Sequence, residues 1–291
     1  MSDRLEVMKT YKLAIGGAFP RSESGRTYEV RGDDGRFLAN AARASRKDVR
    51  DAVVAARAAQ PRWAGATAYN RGQVLYRVAE VLEGRRAQLA AEVAALTGDP
   101  EAAAAEVAAT VDRWVWYAGW TDKYAQVAGG VNPVAGPFLN VSTPEPVGVV
   151  GIVAPQRSAL LGLTSVVAPA LVGGNTVVVL ASEGRPLPAV TLAEVLATSD
   201  LPGGVVNVLT GHRDELAPVL AGHLDVDGLD LTGMAGAPVA DLAALEVLAA
   251  EDVTRVLPAP TEEPDWTPVP RDLGRITAWT DIRTVWHPRG T

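Results

Sequence analysis

Apolar residues cluster most densely between Pro146 and Glu183. Val147–Val153 is apolar on both faces, the pattern of a buried parallel strand, and Thr176–Leu180 repeats it. Between them Leu160, Leu161, Leu163, Val166, Val167 and Leu171 recur at helical spacing, and Gly173-Gly-Asn175 closes that helix. Strand, helix and strand in so short a stretch predict a right-handed βαβ crossover on a parallel sheet.

The alternation continues downstream. Helices are predicted over Leu187–Thr198, Asp214–Ala221 and about 239–250, and strands over Val205–Leu209 and Asp227–Leu231. A doubly wound, Rossmann-like α/β layer follows.

Upstream the period is that of amphipathic helices. Ser45 with Asp48 makes a capping-box pattern for a helix Lys47–Gln60, which Pro61 and Trp63 are expected to close. Asn70–Thr97 reads as one long helix that buries Val74, Leu75, Val78, Leu82, Leu89 and Val93 and stops at Gly98. A third helix starts at Asp99-Pro100 and reaches about 127. Residues 11–40 read as short strands and turns, and 129–146 as a hairpin with Phe138–Ser142 as one limb.

After the α/β layer the texture changes. Leu257–Pro270 holds five prolines in fourteen residues and reads as an extended linker. Ile276–Trp286 alternates like a strand that has to pair with something. The expected division is a helical part at 1–128, a hairpin at 129–146, the α/β core at 147–250, a Pro-rich linker at 251–273 and a terminal strand at 274–291.

Composition narrows the function. A chain of 291 residues, 48% hydrophobic and 21% charged, can bury a sizeable core. No charge-free apolar run reaches the ~18 residues of a membrane span outside the Gly- and Pro-broken region around 147–179, whose β-rich ends argue against one. The opening MSDRLEVMKTYK has charges and no apolar core, so no secretory signal and a cytoplasmic location are expected. A net charge of −7 without a basic cluster argues against nucleic acid or anionic lipid as partner. The 291 residues contain no cysteine, which removes disulfides, thiolate metal sites and thiol nucleophiles together.

Few local constellations carry chemistry. There is no G-x-G-x-x-G, P-loop or G-x-S-x-G. His212, His223 and His287 lack metal-ligand spacing. Asp225, Asp227 and Asp230 admit a divalent metal, or alternation on a strand edge, which is favoured. Trp114, Trp116 and Trp120 admit an aromatic platform, or helix packing, which is favoured. Arg157 with Ser158 sits at a strand C-terminus, where α/β folds bind ligands. It either clamps a carboxylate or phosphate or, the favoured reading, plugs the site by pairing with Glu183.

Several segments in a fixed order now carry a resemblance. They are Ile15-Gly-Gly17, the stretch around Ala55–Trp63, Tyr117-Ala-Gly-Trp120, Gly136-Pro-Phe-Leu-Asn140 and Glu145-Pro-Val-Gly-Val-Val-Gly-Ile152. Ala168-Pro-Ala-Leu-Val-Gly-Gly-Asn-Thr176, Leu201-Pro-Gly-Gly-Val-Val-Asn-Val208, Leu231-Thr-Gly233 and Trp279-Thr-Asp-Ile-Arg-Thr-Val285 continue the series. The chain resembles an aldehyde dehydrogenase over nearly its full length, with a large piece missing. The resemblance implies a cofactor domain with the family's bridging hairpin and C-terminal strand.

Departures from the family pattern are as informative. The family's Pro-Trp-Asn-Phe-Pro, whose Asn serves the oxyanion, is replaced by Pro155-Gln-Arg-Ser-Ala159. Its Lys-Pro-Ala-Glu, which holds the adenosine ribose, reads Leu180-Ala-Ser-Glu183, so only Glu183 is kept. Its Thr-Gly-Ser turn under the pyrophosphate reads Thr232-Gly233-Met234, and a Met there fills phosphate space. Leu245-Glu246 resembles the segment bearing the general base but lacks the two glycines that follow it. Ala250–Gly274 stands where the catalytic domain belongs, and the nucleophilic cysteine goes with that domain.

The resemblance therefore implies a catalytically inactive subunit. It would dock on a full-length aldehyde dehydrogenase through Phe138, Asn140, Ile276, Trp279, Ile282 and Val285, with no metal and no cofactor. A second reading is an NAD(P)-binding sensor that keeps Glu183 and Gly233 without chemistry, and Leu180 and Met234 count against it; Arg157 is a further altered family position. A third, an active NAD-dependent aldehyde oxidoreductase, lacks a nucleophile.

Overall fold

A computed structural model describes residues 8–270 and 272–289 of the chain. The chain opens with a hairpin of β1 (Thr27–Arg31) and β2 (Phe37–Ala42). Helix α1 (Arg46–Gly65) begins at the expected capping box, with the Ser45 hydroxyl accepting from the Lys47 and Asp48 N–H groups. It does not stop at Pro61. Trp63 is buried and its indole N–H donates to the Leu171 carbonyl at 3.2 Å, so tertiary anchoring carries the helix past the proline to Gly65.

The long helix expected over Asn70–Thr97 is two, α2 (Ala68–Gly84) and α3 (Arg86–Thr97). Arg85 makes the corner at φ −104° and ψ 11°. Its N–H doubles back on the Val81 and Leu82 carbonyls, and its guanidinium is held by Glu194 at 2.8 Å. The helix expected to reach 127 is likewise broken into α4 (Pro100–Ala118) and α5 (Tyr124–Ala128). Between them the Thr121 hydroxyl and the Lys123 ammonium take the Ala118 and Gly119 carbonyls, at 2.9 and 2.7 Å.

The rest of the chain supplies β3 (Gly130–Asn132), β4 (Phe138–Pro146), β5 (Val149–Val153), α6 (Leu161–Val172), β6 (Thr176–Leu180) and α7 (Leu187–Ala197). Then come β7 (Val206–Leu209), α8 (Arg213–Ala221), β8 (Gly228–Asp230), α9 (Val239–Ala250), β9 (Arg255–Leu257), α10 (Gly274–Thr277) and β10 (Thr280–Pro288). Strands β7-β6-β5-β8-β9 form one parallel sheet in that order. This is the doubly wound α/β fold that the sequence predicts, with its order reversing between β5 and β8.

The sheet is buried on both faces, which explains its unbroken Val and Ile runs. Val150, Ile152, Val177 and Val179 face a core shared with α2, α4, α6 and α7. Val149, Val153, Val178 and Leu180 face a second core shared with α1, α8 and α9. Asp230 lies on an interior strand and is fully buried, so the strand-edge reading of the three aspartates is wrong for it.

Two further corrections concern the tail. The Pro-rich stretch is extended but is not a loose tether: Trp266 is buried in the first core, and Arg113 donates to the Trp266 and Pro268 carbonyls at 2.7 and 2.9 Å. Ile276 and Trp279 precede the strand. Both are buried in the chain's own core, the latter at 0% exposure, and present nothing to a partner. Strand β10 starts at Thr280 and pairs antiparallel with β4 over its full length, from Thr280↔Pro146 to Pro288↔Phe138. With β3 on the other side of β4, this makes a three-stranded sheet in the order β10-β4-β3.

Candidate functional site

The C-terminal ends of β5, β6, β7 and β8 deliver four loops to one edge of the parallel sheet, where open α/β sheets take ligands. Gln156 cross-links the first two loops. Its amide N–H donates to the Ala154 carbonyl at 2.6 Å, its amide oxygen accepts from the Glu183 N–H at 3.0 Å, and its carbonyl accepts from Ser182 Oγ at 2.9 Å.

Glu183 and Arg157 do not meet as a pair. One Glu183 oxygen bonds His212 Nδ1 at 2.6 Å and the other accepts from the Arg213 N–H at 3.3 Å, at the start of α8. Arg157 donates instead to the Glu263 carbonyl at 2.7 Å, and its own carbonyl accepts from Arg185, which also reaches Asp33 at 2.8 Å. The expected pairing with Glu183 is therefore wrong, because Glu263 comes in from the Pro-rich stretch and takes Arg157 instead. The Tyr28 ring packs 5.5 Å from the His212 ring. Burial pushes the Tyr28 hydroxyl well above the usual phenol range, and the Glu183 charge adds to the shift.

Leu180, Gly233 and Met234 lie buried against the second core. A Cβ on Gly233 would stand 2.0 Å from the Ala154 oxygen, so the loops after β5 and β8 are in backbone contact. Met234 floors a cleft of about 310 Å³ between α8 and α9, lined also by Ala217, Leu245 and Leu248, with Asp214 and Asp241 among its wall residues. The two carboxylates oppose any diphosphate brought to this cleft, and the Arg213 N–H at the start of α8 is already taken by Glu183. These residues do not fit a dinucleotide's diphosphate.

The other polar candidates disperse. Asp227 holds the Val149 N–H and Arg57, both at 2.7 Å; Asp225 also pairs with Arg57; Asp230 holds the Thr232 N–H at 2.8 Å and faces Arg275 at 3.4 Å. Burial raises the Asp230 carboxyl above the usual range, against the pull of Arg275. Among the described residues no group of three or more acidic or histidine side chains is placed to hold a metal ion. No helix among them is long and apolar enough to cross a membrane. Trp114 is buried between helices, and the Trp116 and Trp120 rings lie 5.8 Å apart, which is helix packing.

Residues 20–251 match the family model described as the aldehyde dehydrogenase family. The chain belongs to that family. It is 36% identical to a mitochondrial aldehyde dehydrogenase of Leishmania tarentolae over 225 residues, 76% of this chain and 45% of that protein. It is 34% identical to a mitochondrial benzaldehyde dehydrogenase of Antirrhinum majus over 227 residues, 76% of this chain and 42% of that protein. Among solved structures, HpcC of Thermus thermophilus superposes with a TM-score of 0.79 at 32% identity, covering 85% of this chain and 47% of that one. PnpE, from Pseudomonas sp. WBC-3, solved with nicotinamide adenine dinucleotide, gives a TM-score of 0.78 at 30% identity over 84% of this chain and 50% of that one. The chain spans half or less of the length of each of these relatives.

Within these 291 residues this aldehyde dehydrogenase family member has no thiol to act as nucleophile. The Ser158 hydroxyl donates to Glu106 at 2.9 Å and accepts from the Gly162 N–H in the first turn of α6 at 2.8 Å.

Glu106, Arg113 and Glu263 are absent from the sequence-based candidates. An Arg between Thr110 and Trp114 on an inward helix face points to Arg113, and an acid pair inside a proline-rich run points to Glu263; no local signal marks Glu106.

The three-stranded sheet exposes an apolar surface. Val131, Phe138, Ile282 and Trp286 are exposed, the last at 57%, with Phe138 and Trp286 edge to face at 5.9 Å. Asn140 is buried and accepts from Asn132 at 2.5 Å, so it orders the hairpin from within. Val285 is half-buried opposite Val141. Among the described residues the outer edge of β10 has no strand beside it.

Proposed function

We propose that this chain is a catalytically inactive aldehyde dehydrogenase-like subunit that assembles with a full-length aldehyde dehydrogenase in the cytoplasm. The observation that carries the proposal is the β10-β4-β3 sheet. Among the described residues its β10 edge is open and Phe138, Ile282 and Trp286 are exposed, in a sequence without a thiol nucleophile. An open apolar strand edge is an aggregation hazard unless something adds to it. Strand addition by a partner satisfies the backbone groups and covers the apolar side chains at once. A full-length relative supplies the length of chain that these 291 residues lack. The crevice chemistry supports a role without cofactor: Glu183 is engaged by His212 and Arg213, and Asp214 and Asp241 line the α8–α9 cleft.

Affinity capture tests this reading. A tagged chain co-expressed with a full-length family member retains that enzyme on the resin, and any aldehyde oxidation by the complex belongs to the enzyme. Capture of neither that enzyme nor another full-length member would refute it.

A second reading, an NAD(P)-binding sensor, rests only on the position of the α8–α9 cleft at the ligand edge of the sheet, and the Asp214 and Asp241 carboxylates that line the cleft count against it. Calorimetric titration with NAD and with NADP separates the two. The subunit reading expects no heat at millimolar nucleotide, and the sensor reading a saturating isotherm.

A further inference from the structure

Five N–H groups at the crevice are taken by two carboxylates from distant parts of the chain. Those of Gln156, Arg157 and Ser158 donate to Glu263 at 2.8, 2.9 and 3.0 Å. Those of Leu160 and Leu161 donate to Glu106 at 3.0 Å each. Three successive N–H groups converging on one point make an anion-binding concavity. Here the anion is the chain's own. Both Glu263 oxygens are used, Trp266 Nε1 stands 3.4 Å from one of them, and the Arg157 guanidinium grips the Glu263 carbonyl.

Glu263 lies midway along the stretch 258–270. Its prolines keep the stretch extended and remove the N–H groups that would let it pair as a strand. The downstream end is fixed: Arg113 holds the Trp266 and Pro268 carbonyls, and the Arg275 guanidinium stacks over the Trp266 ring at 4.8 Å. The upstream end is fixed by β9 in the sheet. Between these anchors Glu263 is the residue that bonds to the loop after β5, beside an open cleft of about 720 Å³.

We propose that residues 258–265 form a strap that occupies an anion site at the crevice, with Glu263 standing in for a small oxyanion. The ligand class it excludes is a phosphate group. Such a group offers acceptor oxygens to the same three N–H groups and a negative charge to Arg157. The Arg113 clamp lies at the far end, from Trp266 onward, so breaking the Glu263 contact frees the strap without unpinning the tail. This reading is independent of the subunit role and stands or falls separately.

Amide hydrogen exchange at Gln156, Arg157 and Ser158 tests it in the full chain, in wild type and in Glu263→Ala and Glu263→Gln, the second of which keeps the side-chain volume. Exchange at the three amides is expected to rise by about tenfold or more in both variants, with the α6 amides unchanged. Inorganic phosphate at tens of millimolar is expected to restore protection in the variants, while chloride at equal ionic strength does not, and to leave wild type unmoved. The proposal is overturned if phosphate acts no better than chloride on the variants, or if it acts equally on wild type. It is also overturned if both variants fail to fold, since the strap would then be a structural element and not a releasable one.

Discussion

Trp279 packs directly on Gly228. A Cβ at position 228 would stand 2.7 Å from the Trp279 ring, so strand β8 carries a glycine where the tail's tryptophan crosses it. Asn175 locks the same crossing. Its amide donates to the Trp279 carbonyl at 2.9 Å and its oxygen accepts from the Gly148 N–H at 2.9 Å, at the foot of β5. The tail is therefore part of the α/β core, and β10 leaves the core at a fixed position.

From this follows a stability test. Trp279→Ala is expected to cost about 3–5 kcal/mol by chemical denaturation, the range for emptying a buried aromatic site. Gly228→Ala is expected to cost about 1–3 kcal/mol by overpacking. The double variant is expected to fall short of the sum, because the ring that clashes with the new methyl is gone.

Arg113 is buried and bonds Ser165 and the Trp266 and Pro268 carbonyls, with no carboxylate among these partners. Burial lowers its pKa. Arg113→Met is expected to destabilise the chain by roughly 1–3 kcal/mol through the orphaned carbonyls, and to open 258–270 to limited proteolysis. Arg113→Lys is not expected to rescue, since one ammonium cannot reproduce the planar fork that spans Trp266 and Pro268.

Asp230 gives a pH signature with an unusual sign. Its folded pKa is raised by burial, so the native chain holds this proton more tightly than the unfolded one. Its contribution to stability is then favourable in acid and is lost as pH rises from the ordinary carboxylate value through the raised one. Asp230→Asn removes that titration. The difference in unfolding free energy, variant minus wild type, is expected to grow in the variant's favour as pH rises from about 4 towards neutral. A difference that runs the other way would show that Arg275 dominates burial.

Ile282 and Trp286 on β10 are exposed, and substituting them tests the docking surface without touching the core. Ile282→Asp with Trp286→Asp is expected to change the stability of the isolated chain by less than about 1 kcal/mol and to abolish capture of a full-length partner. Ile282 and Trp286 carry that test because they point outward, whereas Trp279 does not.

Much of this was legible in the sequence, and the misses have physical causes. The buried Val runs marked β5 and β6, because a strand covered on both faces has no polar positions to obscure it. The corner at Arg85 had one local signal, the preceding Gly84, which the apolar period on either side outweighs; the Glu194 contact that holds it comes from far away in sequence. Pro61 suggested a stop that the Trp63 anchor overrides. The proline run was correctly extended, yet its function depends on Glu263 and Trp266 reaching residues far away in sequence, which no local pattern records. At the crevice, Glu183 was legible as a residue of the loop after β6. The partner of Arg157 was not, since choosing between Glu183 and Glu263 takes three-dimensional placement.

The most direct test of the account is the mass of the assembly. The chain is co-expressed with a full-length aldehyde dehydrogenase of the same cell, and the purified material is weighed by native mass spectrometry. A discrete species containing both chains, lost in the Ile282→Asp/Trp286→Asp variant, is the expected result. Two populations that never mix, the full-length enzyme alone and this chain as a soluble monomer, would contradict it.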